Sequence, residues 1–182
     1  NILYGETDPS GRLPFTWPKR LEDSPSHKLA AQDLDNVNYD EGLMVGYRYF
    51  DTQEVEPQFP FGYGLSYTTF RYGKLHVSEK EGKVCGRIEI RNIGRCDGSE
   101  TVQIYVRPER PSVMRPAHEL KAFEKLFLRA GERRTVEFTL PARAFSYYSE
   151  AESRWVEDPG LYTIEAAASS RDIRSTAQIE IK

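Results

Sequence analysis

The stretch Gly98-Ser-Glu-Thr-Val-Gln-Ile-Tyr-Val106 decides the fold, because Val102, Ile104 and Val106 recur at every second position. Successive side chains of a strand point to opposite sides, so this period puts the three on one face. The same reading extends outward. Val84, Ile88 and Ile90 share a face of a strand over residues 83–92, and Val136, Phe138 and Leu140 supply another inward row. Further strands are expected over 70–78, 100–107, 119–128, 133–140, 145–148 with 154–157, 160–168 and 176–182. Turns with glycine, which takes positive φ cheaply, separate them at Glu81-Gly82, Asn92-Ile-Gly94, Asp97-Gly98, Ala130-Gly131 and Asp158-Pro-Gly160. Short alternating strands with a turn about every ten residues are the pattern of an all-β antiparallel sandwich. No long helix is expected. Burying each inward side chain contributes roughly 1.5–3 kcal/mol, enough in sum to offset the chain entropy of such a domain.

Upstream of Phe70 the period disappears. Residues 1–18 read as a loop, a turn at Pro9-Ser-Gly11 and an edge-like strand at Leu13-Pro-Phe-Thr-Trp17 that tolerates Pro14 and has no sheet of its own. Residues 19–38 carry prolines and charges of both signs without period and are expected to form a poorly ordered connector. Then Pro57-Gln-Phe-Pro-Phe-Gly-Tyr-Gly-Leu-Ser-Tyr-Thr-Thr-Phe70 packs aromatics and glycines at the point where the reading changes. It reads as a doorway between two domains.

The 182 residues suit one domain plus an attached piece of another. With 38% hydrophobic and 29% charged residues the chain has material for a core. The 25 basic and 28 acidic residues are interspersed, which argues against a nucleic acid or anionic lipid partner. No run of about 18 apolar residues is present to span a bilayer. Asn1-Ile-Leu-Tyr-Gly5 reads as the middle of a longer polypeptide, so the compartment, whether secreted, periplasmic or cytoplasmic, stays open. Cys85 and Cys96 are too few for a disulfide framework and are expected as unpaired thiols, with a local bridge left open.

Three upstream motifs, Asp8-Pro-Ser-Gly-Arg-Leu-Pro-Phe-Thr-Trp-Pro18, Tyr39-Asp-Glu-Gly-Leu-Met-Val-Gly-Tyr-Arg-Tyr-Phe-Asp51 and the doorway, resemble in this order the C-terminal part of family 3 glycoside hydrolases of the β-glucosidase type. Gly98–Val106, Glu119-Leu-Lys-Ala-Phe123 and Ser169-Ser-Arg-Asp-Ile173 resemble that family's terminal fibronectin type III-like domain. The resemblance implies that residues 1–66 are the remnant of an α/β sandwich domain plus connector, and residues 67–182 the fibronectin-like domain. It implies a retaining enzyme on terminal β-D-glucosyl residues, whose nucleophile and acid/base lie in an N-terminal barrel and a preceding α/β domain. Those domains are the expected partners, and the β-glucoside substrate is reached only through them. A β-xylosidase is the alternative parent activity. No catalytic residue is expected within this chain.

The local candidates are read accordingly. Asp40-Glu41 lies in a segment taken as extended, where neighbouring carboxylates diverge, so a salt bridge to Arg48 is expected rather than a dyad. Tyr39, Glu41 and Arg48 are the candidates for the rim of the parent's sugar site. Phe59, Phe61, Tyr63, Tyr67 and Phe70 form either a sugar-stacking platform or an interdomain plug, and the interruptions by Pro60, Gly62 and Gly64 fit the plug. Trp17 and Trp155 are read as packing residues, and partial exposure of the plug would promote self-association. His27, His76 and His118 lack metal-ligand spacing, so neither metal nor cofactor is expected. Ser66 lacks the context of a nucleophile elbow. The loop Arg107-Pro-Glu-Arg-Pro-Ser-Val-Met-Arg-Pro116 is expected as a solvated crossover. A non-catalytic module binding polysaccharide or protein is a second reading. An unrelated adhesion module is a third, and it leaves residues 1–66 unexplained.

Overall fold

The computed structural model describes residues 1–27 and 38–182. Among the described residues ten strands follow one short α-helix, α1 (Tyr47–Thr52): β1 Phe70–Tyr72, β2 His76–Lys80, β3 Lys83–Asn92, β4 Gly98–Pro108, β5 Glu119–Leu128, β6 Arg133–Leu140, β7 Ser146–Ser149, β8 Arg154–Glu157, β9 Gly160–Ser169 and β10 Asp172–Ile181. β1, β2 and β6 pair with β3 in one sheet, β10-β9-β4-β5 form a second, and β7 and β8 make a separate ribbon. All pairings between strands are antiparallel, as the alternating pattern requires. The expected inward rows meet between the two sheets: Val84, Ile88, Ile90, Val102, Ile104, Val106, Val136 and Leu140 belong to one core with Phe145, Tyr162 and Ile164. Phe138 packs against its margin.

The differences from the expected strands have local causes. The strand expected over residues 70–78 is broken at Gly73-Lys-Leu75, where the Gly73 amide donates to Glu89 O and the Leu75 amide to the Ser175 hydroxyl. Between Tyr72↔Ile90 and His76↔Arg87 the strand advances four residues while β3 advances three, so the extra residue is a bulge that shifts the face presented to the core. The last strand starts at Asp172 rather than 176, because it continues directly from the β9 turn. Glu81 and Gly82 both take positive φ, 52° and 69°, the conformation that closes a two-residue hairpin between β2 and β3.

The Leu13–Trp17 segment pairs with the doorway: Trp17 bridges Phe59, Leu13 N donates to Tyr63 O and Gly62 N donates to Leu13 O. Asp40-Glu41 lies in a turn, in which Gly42 N donates to Tyr39 O, and not in an extended segment. Residues 47–52, for which no element was assigned from sequence, form the short helix α1. Part of the expected connector, residues 28–37, lies outside the described residues.

Candidate functional site

β4 and β9 place Gln103 opposite Ala167 and Tyr105 opposite Glu165, on the face turned away from the core. In a two-layer sandwich such a face meets water. Here Gln103, Tyr105, Glu165 and Ala167 are all buried, because α1 and the doorway lie across them as a third layer. Tyr47 sets its ring edge-on to Tyr105 at 5.9 Å and stacks on Phe61 at 4.9 Å. Gln103 Nε2 donates to Gly62 O and Ala168 O, and the Tyr105 hydroxyl donates to Gln103 Oε1. Gly62 sits at φ 79°, and a Cβ there would run into the Gln103 amide, so the close approach requires glycine.

Against this layer the chain builds a buried chain of charges. His118, just before β5, stacks on Tyr105 with centroids 4.6 Å apart. Its Nδ1 lies 2.7 Å from Glu165 Oε2 and its Nε2 3.0 Å from Asp51 Oδ2 in α1. Two carboxylates facing two ring nitrogens demand a proton on each, the imidazolium form. Burial alone would lower the His118 pKa, but the hydrogen bonds to and charges of Asp51 and Glu165 outweigh it and hold the pKa above the ordinary value. Arg171 of the β9–β10 turn pairs with Asp51 and also donates to Phe50 O and Val55 O, at 2.7 and 3.1 Å. Arg107 closes the other end through Glu165, at 3.0 Å.

Two further clasps flank it. Glu119 receives Arg48 at 3.4 Å, Arg115 at 2.9 Å and Lys121 at 3.3 Å. Burial raises its pKa, yet these three cations prevail and leave it below the usual carboxylate value. Ala117 N donates to Thr52 Oγ1 and Leu120 N to the Tyr47 hydroxyl. At the far end Asp8 accepts from Ser66 Oγ, Tyr67 N and Ser99 N, and Arg12 pairs with Glu100 at 3.2 Å. Of the residues named as a rim, Tyr39 is exposed, Glu41 shares its turn with Oε2 buried and unpaired, and Arg48 reaches Glu119. Of the aromatic cluster, Phe70 enters the sandwich core, Phe61 joins the seam and Phe59 packs on Tyr63 at 5.0 Å. Trp17 and Tyr67 stay half exposed, and so does Trp155, under the Arg143 guanidinium. The chemistry of the seam is that of an anchor, since its carboxylates are committed to cations. Asp51, His118, Glu165 and Arg171 were missed at the sequence level, although Asp51 closes one quoted motif, Arg171 sits in another and His118 directly precedes a third.

The comparisons agree with this geometry. Residues 1–67 match the glycosyl hydrolase family 3 C-terminal domain and residues 100–170 the fibronectin type III-like domain. The thermostable beta-glucosidase B of Acetivibrio thermocellus is 45% identical over 177 residues, which is 95% of this chain and 23% of that protein. The chain belongs to glycoside hydrolase family 3. An exo-alpha-(1->6)-L-arabinopyranosidase of Bifidobacterium breve is 41% identical over 100% of the chain and 24% of its own length. Among solved structures, the family 3 beta-glucosidase of Bifidobacterium adolescentis superposes with a TM-score of 0.95 at 40% identity, over 99% of this chain and 27% of that one. The chain thus spans about a quarter of the length of the relatives it matches.

Proposed function

We propose that this chain is a non-catalytic brace in a longer family 3 enzyme that hydrolyses terminal non-reducing β-D-glucosyl residues, with nucleophile and acid/base supplied by an N-terminal barrel and an α/β domain. Residues 1–66 belong to the α/β domain and its connector, residues 67–182 to the fibronectin-like domain. The observation that carries this reading is an asymmetry of the surface. Of nineteen exposed large apolar side chains among the described residues, eleven fall in the first 67, Leu3, Tyr4, Trp17 and Leu65 among them. An apolar surface of this density marks a contact with another layer of protein, while the opposite side of the same segment is bolted to the sandwich. In this arrangement the exposed Tyr39 sits on the outward side and Arg48, paired with Glu119, on the inward one.

The resemblance to β-glucosidases supports the glucoside, but the arabinopyranosidase relative carries the same region at similar identity, so residues elsewhere select the sugar. Hydrolysis of aryl β-glucoside, β-xyloside and α-L-arabinopyranoside by the full-length enzyme separates the three. In that enzyme Asp51→Asn with Arg171→Gln weakens the seam. The expected result is a lower melting temperature with kcat and KM retained below it. A collapse of kcat at unchanged melting temperature would overturn the brace reading. A stand-alone carbohydrate-binding module is the second reading, favoured only by the cleft beside Glu100.

A further inference from the structure

Alternation places Glu100 on the same face of β4 as Val102 and Ile104, an acid in the row that otherwise builds the core. It is buried, 5% exposed, and burial raises its pKa despite the opposing Arg12 guanidinium. Three donors converge on one of its oxygens: Arg12 at 3.2 Å, the Tyr72 hydroxyl at 3.2 Å and the Thr101 amide at 3.1 Å all reach Oε1. None of the three goes to Oε2. Oε2 has no protein donor and is not sealed from solvent, so it can accept from a molecule in the adjoining cleft.

Glu100 lines a cleft of about 390 Å³ between the doorway and the open end of the sandwich. That volume lies within the range of small-ligand sites, roughly 300–1,000 Å³. Its walls come from three separate stretches. Arg12 and Tyr63 belong to the docked segment, Tyr72 and Glu100 to the two sheets, and Arg171 and Arg174 to the β9–β10 turn and the start of β10. Gly64 shapes one wall, since a Cβ there would strike Gly11 O and the Arg12 side chain. The charges cancel pairwise, Arg12 with Glu100, Arg174 with Asp172 at 2.6 Å, and Arg171 with Asp51. A charged ligand would be desolvated there without a counter-ion, whereas a neutral ligand rich in hydroxyls finds both acceptors and spare guanidinium N–H groups. The Tyr63 and Tyr72 rings add apolar surface for the C–H face of a ring.

We infer that this cleft is a binding site for one neutral pyranose, with Glu100 Oε2 accepting from a sugar hydroxyl. The site goes beyond the brace reading and does not depend on it, because it uses only residues of this chain. Titration of the full chain with methyl β-D-glucopyranoside, followed by heteronuclear NMR, tests it. The expected result is saturable shifts confined to the neighbourhood of Arg12, Tyr63, Tyr72, Glu100 and Arg174. Glu100→Gln weakens binding about tenfold or more, the loss of a hydrogen bond to a charged acceptor. Arg174→Ala, at the rim, weakens it without touching the core, so the test survives if Glu100→Gln unfolds. Absence of shifts at saturating sugar, shifts confined to Trp17 and Tyr67, or binding of inorganic phosphate in preference to the glucoside would each overturn the inference.

Discussion

His118 Nε2 lies 3.0 Å from Asp51 Oδ2, a contact between residues 67 positions apart that joins the sandwich to α1. Both side chains are buried, and the second ring nitrogen meets Glu165. Removing the imidazolium leaves two buried carboxylates held only by Arg171 and Arg107. His118→Phe keeps an aromatic ring to stack on Tyr105 but not the charge or the two N–H donors, and is expected to lose about 2–4 kcal/mol of unfolding free energy in urea titrations. A change under about 0.5 kcal/mol, the level of an ordinary surface substitution, would mean the contact is incidental.

The same pair sets a pH dependence. Asp51 and Glu165 face His118 directly, the Tyr47 and Tyr105 rings flank it, and Arg171 and Arg107 stand behind the carboxylates. The folded pKa is raised above 6.5, so the folded state holds the proton more tightly than the unfolded one. The contribution is therefore complete below about 6.5 and is lost as pH rises through the raised value. The gap in melting temperature between the unmodified chain and His118→Gln should narrow from pH 6 to pH 9. A gap that is constant or widens contradicts this sign.

Gly86 stands in the inward row of β3 opposite Phe138, and a Cβ there would meet the Phe138 ring. Gly86→Ala is expected to cost about 1–3 kcal/mol through overpacking, and Phe138→Leu in the same chain should return part of it. Gly62→Ala adds backbone strain at φ 79° to a clash with Gln103. Hydrogen exchange should report its effect as lost protection of the amides of residues 47–63, with β3 and β6 unaffected.

The outward apolar side of the first 67 residues should make the isolated chain self-associate. Sedimentation velocity over a hundredfold concentration range is expected to show a rising mean mass. Trp17→Ser with Tyr67→Ser should lower it, because both rings are about half exposed, 51% and 52%. A monomer at every concentration contradicts the reading of this side as a contact surface.

The sandwich was legible because a strand with one buried face writes its period into the sequence, as in residues 83–92 and 133–140. β4 was only half legible. Val102, Ile104 and Val106 marked its inner row, but Gln103 and Tyr105 gave no sign that a third layer covers the other face. α1 was missed because six residues carry too little period to register, and its helix is fixed by tertiary contacts of Tyr47 and Asp51. The break at Gly73-Lys-Leu75 was invisible because the bulge depends on the register with β3. His118 was read only for metal spacing, and its partners stand 47 and 67 residues away. Glu100 was passed over, because one acid at the edge of an apolar row shows neither its burial nor its donors, Arg12 and Tyr72, which stand 88 and 28 residues away.

Incubation of the purified chain with a chromogenic β-glucoside separates a brace from a catalyst. A chain without the bond-breaking carboxyls gives release indistinguishable from a protein-free blank. Turnover that survives purification and vanishes in Glu41→Gln or Glu100→Gln would contradict the brace reading, by placing the bond-breaking carboxyl inside these residues.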